Sequence, residues 1–164
     1  RIWRIAGWAI AKEKTPILIL FKEHQHGDHM LKLCPKEILE ENKIEIVNHK
    51  TPGRTQIFKD FNDGRIDILL SSMIIKRGKN LPLIKTLINA AGGDSESTIL
   101  QILGRSLRSH KTKKSVDVID FYDHGSYLQR HSKHRIRYYK QQQFEVKEIY
   151  KKKPLKKQDN TLNH

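Results

Sequence analysis

This chain is short of acid. Eighteen Asp and Glu stand against thirty-two Lys and Arg across 164 residues, a formal net charge of +14. Such an excess argues against a cationic partner. It points to a polyanion, most simply nucleic acid, with an anionic membrane surface as the other candidate. Long apolar runs are also missing: none approaches the roughly 18 residues that cross a bilayer, which excludes a transmembrane helix. A single cysteine, Cys34, excludes an internal disulfide framework and fits a reducing compartment, expected to be the cytoplasm. There is no initiating Met, and no apolar secretory core follows the opening Arg1-Ile2-Trp3-Arg4, so a fragment or a processed chain is expected. The sequence also lacks a G-x-x-x-x-G-K-[ST] phosphate loop, and no Asp-Glu pair follows a strand. By itself it has no ready cradle for a nucleoside triphosphate and its metal.

What is present alternates between two periods. Ile2, Ile5, Ala6, Ala9 and Ile10 fall at helical spacing, and Thr15-Pro16 ends that helix. Ile17 to Phe21 is a continuous apolar run of the length of a buried strand. Gly27 to Leu33 reads as helix, and Pro35 suits the first turn of another, through about Glu41. Lys43 to Val47 alternates as a strand. Pro52-Gly53 turns the chain into a helix from Thr55 to Phe61, with Ile57, Phe58 and Phe61 inward. Asp63-Gly64 is a turn before a strand from Arg65 through Ser71-Ser72. Thr86 to Ala90 is a further strand. Gly92-Gly93 releases the chain into a helix beginning near Ser95, and Val116 to Phe121 is the last strand. Strands alternating with helices predict an α/β layer fold with a mostly parallel sheet, in which ligands gather at the carboxyl ends of the strands.

After Asp123 the composition shifts. From Arg130 to Lys157 eleven Lys or Arg stand against two Glu, with Tyr138, Tyr139 and Phe144 interleaved. A basic helix is predicted from Ser126 to about Gln142. Two readings stand for this region: a solvated helix with a frayed tail, or a basic, aromatic-studded arm on nucleic acid.

The most telling stretch is Gln101-Ile102-Leu103-Gly104-Arg105-Ser106-Leu107-Arg108. On a helix, Gln101, Arg105 and Arg108 share one stripe, while Ile102, Leu103 and Leu107 turn to a core. Two guanidiniums beside a bare glycine suit a polyphosphate, because each Arg can fork onto phosphate oxygens and stays charged at any working pH. The plain alternative is an amphipathic surface helix with two solvated arginines.

The pattern Q-x-x-G-R-x-x-R resembles motif VI of superfamily 2 helicases, and the preceding segments resemble the rest of the same lobe in the same order. Ile17 to Lys22 followed by His26-Gly27 is similar to motif IV, a strand running into a loop beside the DNA backbone. Arg54, Phe61, Gly64 and Ile68 to Leu70 resemble the helix and strand that come next. Ser71-Ser72 with Gly78, Asn80 and Pro82 looks like motif V, although many relatives carry Asp where Asn80 stands. The likeness covers about Ile2 to Phe144 and lies nearest the phage branch-migration and recombination helicases. It implies a three-layer RecA-like lobe over residues 1–124, a basic helical extension packed on it over 125–150, and a disordered tail over 151–164.

The resemblance also implies roles. Arg105 and Arg108 would act as arginine fingers on ATP, with Gly78, Asn80 and Gln101 beside the nucleotide. Lys22, His26, Ser72, Lys76, Arg77 and Lys79 would meet the DNA backbone. ATP and Mg²⁺ would be held mainly by a first lobe that this chain lacks, so the chain alone is expected to be inactive, in a bacterial or phage-infected cell. A stand-alone nucleic-acid-binding module without a motor is the alternative.

His24-Gln25-His26-Gly27-Asp28-His29 spells H-x-H-x-D-H, which resembles the signature of metallo-β-lactamase-like zinc hydrolases. Thr51-Pro52-Gly53-Arg54-Thr55 is similar to their T-P-G-H-T. Here Arg54 stands where a His ligand belongs, and a fixed cation repels Zn²⁺. The spacing is also too short, so no metal is expected and the segment reads as a solvated polar loop. Asp117, Asp120 and Asp123 read as ending a strand, with Mg²⁺ as the alternative. Trp3 and Trp8 read as packing residues before base-stacking ones, and Cys34 as a small core residue.

Overall fold

Five consecutive apolar residues can be buried on both sides only inside a sheet covered on both faces, and Ile17–Phe21 meets that condition. In the computed structural model, which describes residues 1–73, 84–93, 99–101, 115–123, 125–147 and 149, this strand, β1, is fully buried. It lies at the centre of one sheet with β2 (Ile44–Val47), β3 (Ile68–Ser72), β4 (Thr86–Asn89) and β5 (Asp117–Asp120). The order is β2-β3-β1-β4-β5, and every neighbouring pair is parallel.

Alternation along the strands sorts the core into two halves. Ile17, Ile19 and Phe21 join Ile68, Leu70 and Ile88 on one face. Leu18 and Leu20 join Leu69 and Leu87 on the other. The first face is covered by α1 (Ile2–Ala11), α2 (His24–Lys32) and α3 (Lys36–Glu41), through Trp3, Ala6, Ala9, Met30 and Ile38. The second is covered by α4 (Arg54–Asn62), by the helical residues 99–101 and by α5 (Ser126–Gln141), through Phe58, Phe61, Ile99 and Tyr139. The architecture is three-layered α/β with an all-parallel sheet.

Several boundaries differ from the sequence expectation, each for a local reason. The strand predicted from Arg65 begins at Ile68. Arg65 instead closes the turn after α4, its guanidinium reaching Asp60 and Asp63 at 2.6 Å each. Asp67 accepts the Lys43 N–H through its carboxylate at 2.9 Å, and β2 and β3 begin at the residues that follow, Ile44 and Ile68. Helix α2 starts at His24, three residues before the predicted Gly27. The polar loop expected over the H-x-H-x-D-H segment is therefore helical. A Cβ at Gly27 would come within 2.7 Å of the Phe21 ring, so glycine there is what lets α2 lie on the end of β1. The helix expected to begin near Ser95 is described only at 99–101.

Trp3 is a packing residue: it is buried, and its indole N–H donates to the Met30 carbonyl at 2.7 Å, tying α1 to α2. Trp8 is 45% exposed, with the Lys14 ammonium 5.3 Å from its ring centroid. Cys34 is buried in the first core half, and desolvation pushes its thiol up to about 11, which keeps it protonated at neutral pH.

Candidate functional site

Because every strand runs the same way, all five carboxyl ends lie along one edge of the sheet. After β1 the chain moves to the β2-β3 side, then crosses β1 to lay down β4. Ligands of such sheets bind outside the carboxyl ends where the order reverses, here between β1 and β4. Three sequence-predicted residues come together on this edge. Lys22 follows β1 directly and is exposed. His26 is exposed on the first turn of α2. Ser72 is the last residue of β3, in register with Phe21 of β1, and only 8% exposed. Gln101 is exposed on the helical residues 99–101, whose Ile99 is buried in the second core half. Lys76, Arg77, Gly78, Lys79, Asn80, Arg105 and Arg108 lie outside the described residues.

A cleft of about 250 Å³ opens at the ends of β4 and β5. His26, Asn89, Gly92, Asp120, Phe121 and Arg135 are among the residues that line it. Its floor is an ion-pair network that the sequence did not reveal. Arg135 of α5 is 1% exposed. Its Nε and Nη2 donate to the two Asp120 carboxylate oxygens at 2.8 and 3.2 Å. Nη1 donates to the Gly93 carbonyl at 2.7 Å, and Nη2 to the Phe121 carbonyl at 3.0 Å. The Tyr139 hydroxyl donates to Asp120 Oδ2 at 2.8 Å.

One side chain thus ties three segments together: the end of β5, helix α5, and the Gly92-Gly93 turn that leads toward Gln101-Ile102-Leu103-Gly104-Arg105. Both glycines of that turn have left-handed φ, 61° and 57°, which favours glycine. The signal that would have found Arg135 is the period of α5. Ser132, Arg135 and Tyr139 fall at i, i+3 and i+7, one inward stripe, and all three are buried. Asp120 alternates with Ile119 on β5 and so faces the same layer.

The three aspartates do not gather around a common point. Asp120 is engaged by Arg135 and Tyr139, and Asp117 pairs with Lys14 at the far end of β5. Asp123 lies 3.9 Å from Arg135. In the H-x-H-x-D-H segment, His24 Nε2 sits 2.7 Å from His49 Nδ1, a contact between the start of α2 and the turn after β2. Among the described residues, no group of three or more His, Cys, Asp or Glu is arranged to hold a metal. No helix of the described residues is long and apolar enough to cross a membrane.

Comparison with known proteins agrees with this geometry. Residues 6–110 match the family described as helicase conserved C-terminal domain. The chain is 29% identical over 114 residues to the competence protein ComFA of Streptococcus pneumoniae, a match covering 68% of this chain and 26% of that protein. It is 23% identical over 124 residues to the ATP-dependent RNA helicase DBP6 of Lodderomyces elongisporus, covering 70% of this chain and 19% of that one. The crystal structure of T4 UvsW superposes with a TM-score of 0.64 at 25% identity, covering 85% of this chain and 32% of that one. The chain belongs to the helicase C-terminal domain family and is the second RecA-like lobe of a superfamily 2 helicase. It spans about a fifth to a quarter of the length of these two curated relatives.

Proposed function

We propose that this lobe serves an ATP-driven DNA translocase or strand-remodelling helicase, working with a first lobe that carries the phosphate loop and the acidic metal motif. ATP and Mg²⁺ sit between the lobes. Gly78, Asn80 and Gln101 face the nucleotide from this side, and Arg105 and Arg108 reach its terminal phosphates as arginine fingers. A guanidinium there stabilises charge that develops on the transferred phosphoryl group. Lys22, His26 and Ser72, with Lys76, Arg77 and Lys79, meet the DNA backbone along the carboxyl edge of the sheet. Residues 1–124 form the lobe, and α5 belongs to an extension over 125–150 that packs on it. The cytoplasm of a bacterial or phage-infected cell fits such a motor.

The observation that carries this reading is the shared edge. Lys22 just after β1, His26 on the first turn of α2 and Ser72 at the end of β3 all lie along the carboxyl edge of the sheet. A cation and a hydroxyl are among the groups that contact a phosphate backbone without reading sequence.

DNA is chosen over RNA on the resemblance of the motifs to phage branch-migration and recombination helicases, although DBP6, one of the proteins this chain is similar to, is an RNA helicase by name. Turnover by the protein carrying both lobes tests the choice. Single-stranded or branched DNA should raise its ATPase rate at least tenfold more than RNA of equal length. Equal stimulation by RNA contradicts the DNA assignment while leaving the motor intact.

A further inference from the structure

The family match ends at residue 110, so it assigns nothing to α5. This helix is built with two unlike faces. Its inward stripe is Ser132, Arg135 and Tyr139, and the Arg135–Asp120 pair fixes its rotation on the lobe. At 100° per residue, the direction opposite that stripe belongs to Arg130, His134, Arg137 and Gln141, flanked by Lys133 and Lys140. All six are exposed. The sixteen residues of α5 contain no acid. Of its five Lys and Arg, only Arg135 is turned inward, so the other four cations stand on solvent with no carboxylate on their own helix.

We propose that the outer face of α5 is a second nucleic-acid contact, separate from the carboxyl edge of the sheet, and that it tracks the phosphate backbone of a duplex. Arg130 and Arg137 are seven residues apart, as are Lys133 and Lys140, which sets each pair about 10.5 Å apart along the helix axis. This makes a straight, rigid double row of cations that matches one flank of a duplex. A surface built for single strands presents open aromatic rings on which bases stack. Of the two rings beside the row, Tyr138 is half-buried, and Tyr127, although 64% exposed, has the Arg130 guanidinium 5.8 Å over its ring and His131 at 4.6 Å between ring centroids. His134, Arg137, Tyr138 and Gln141 border a shallow hollow of about 190 Å³ on this face, wide enough to seat a phosphate.

The test uses the 164-residue chain and measures binding to duplex and to single-stranded DNA by anisotropy across a salt series. In one variant Arg130, Lys133, Arg137 and Lys140 are all changed to Gln, which keeps helix propensity close to that of Lys and Arg. In a control variant the exposed Arg4 of α1, Lys12 just after it, Lys32 of α2 and Lys36 of α3, on the opposite face of the sheet, are changed to Gln. Net charge falls equally in both. Circular dichroism and thermal melting should show both folded.

The slope of log K against log salt on the duplex should become shallower by roughly 2 to 4 in the α5 variant, at about 0.9 per lost phosphate contact. The control should move it by less than about 1, and the single-strand slope of the α5 variant should also move by less than about 1. An α5 variant indistinguishable from the control on duplex overturns the proposal. A loss on the single strand as large as on the duplex overturns the duplex assignment. None of these readings uses nucleotide, so failure of the motor reading would leave the result unchanged.

Discussion

Changing Arg105 or Arg108 to Ala, in protein carrying both lobes, should lower kcat by roughly 10³ to 10⁵, the worth of an arginine finger. That equals roughly 4 to 7 kcal/mol at about 1.4 kcal/mol per tenfold. The loss should fall on kcat, with little change in KM for ATP, because the guanidinium acts on charge that develops in the transition state more than on ground-state ATP. DNA affinity without nucleotide should barely move, since the stripe of Gln101, Arg105 and Arg108 would look into the interlobe cleft. Lys at either position should rescue poorly, having charge but no planar fork. A solvated surface arginine behaves otherwise: its removal changes stability within about 0.5 kcal/mol and leaves turnover alone. Steady-state ATPase assays at saturating DNA distinguish the two. Near-wild-type kcat in both variants would remove these residues from the active site.

The second large effect is on stability. Arg135→Met should destabilise the lobe by about 3 to 5 kcal/mol, the usual cost of leaving one partner of a buried ion pair uncompensated. At this chain length that lowers Tm by roughly 2–4 °C per kcal/mol. The cause is specific. Asp120 loses both guanidinium hydrogen bonds, and the carbonyls of Gly93 and Phe121 lose theirs. Arg135→Met with Asp120→Asn should recover a large part of the loss, since no charge is then left unpaired. Changing Lys14, whose pair with Asp117 is more than a third exposed on both sides, should cost no more than about 1 kcal/mol. Denaturant melts of the three variants check this. An Arg135→Met change within 0.5 kcal/mol of wild type would contradict the anchoring role of the network.

The fold was legible where one period governed the sequence. Ile17 to Phe21 read as a buried strand from its length and its unbroken apolar run, and the spacing from Ile2 to Ile10 as an amphipathic helix. Both stand where periodicity put them. The sequence misled where a contact distant in the chain decides the conformation. His24-Gln25-His26 shows no apolar period, and Gly27 looks like a break. Yet α2 runs through both, because the Phe21 ring fills the space a side chain would take. Arg135 was hidden because it is one cation among many in a basic stretch, and cations are seldom fully buried. Only the fold shows that Asp120 faces it. At the candidate site, Lys22, His26 and Ser72 came to one edge because strand ends are readable from the pattern. The low exposure of Ser72 was not readable, since it depends on neighbours that the pattern does not name.

The measurement closest to the central claim is ATP turnover by this chain alone and by the same chain joined to its first lobe, each with saturating DNA. A shared interlobe site predicts that the 164-residue chain hydrolyses ATP no faster than buffer, and that the joined protein turns over ATP in a DNA-dependent way. DNA-stimulated hydrolysis by the pure isolated chain would contradict it, as would a joined protein that DNA leaves idle.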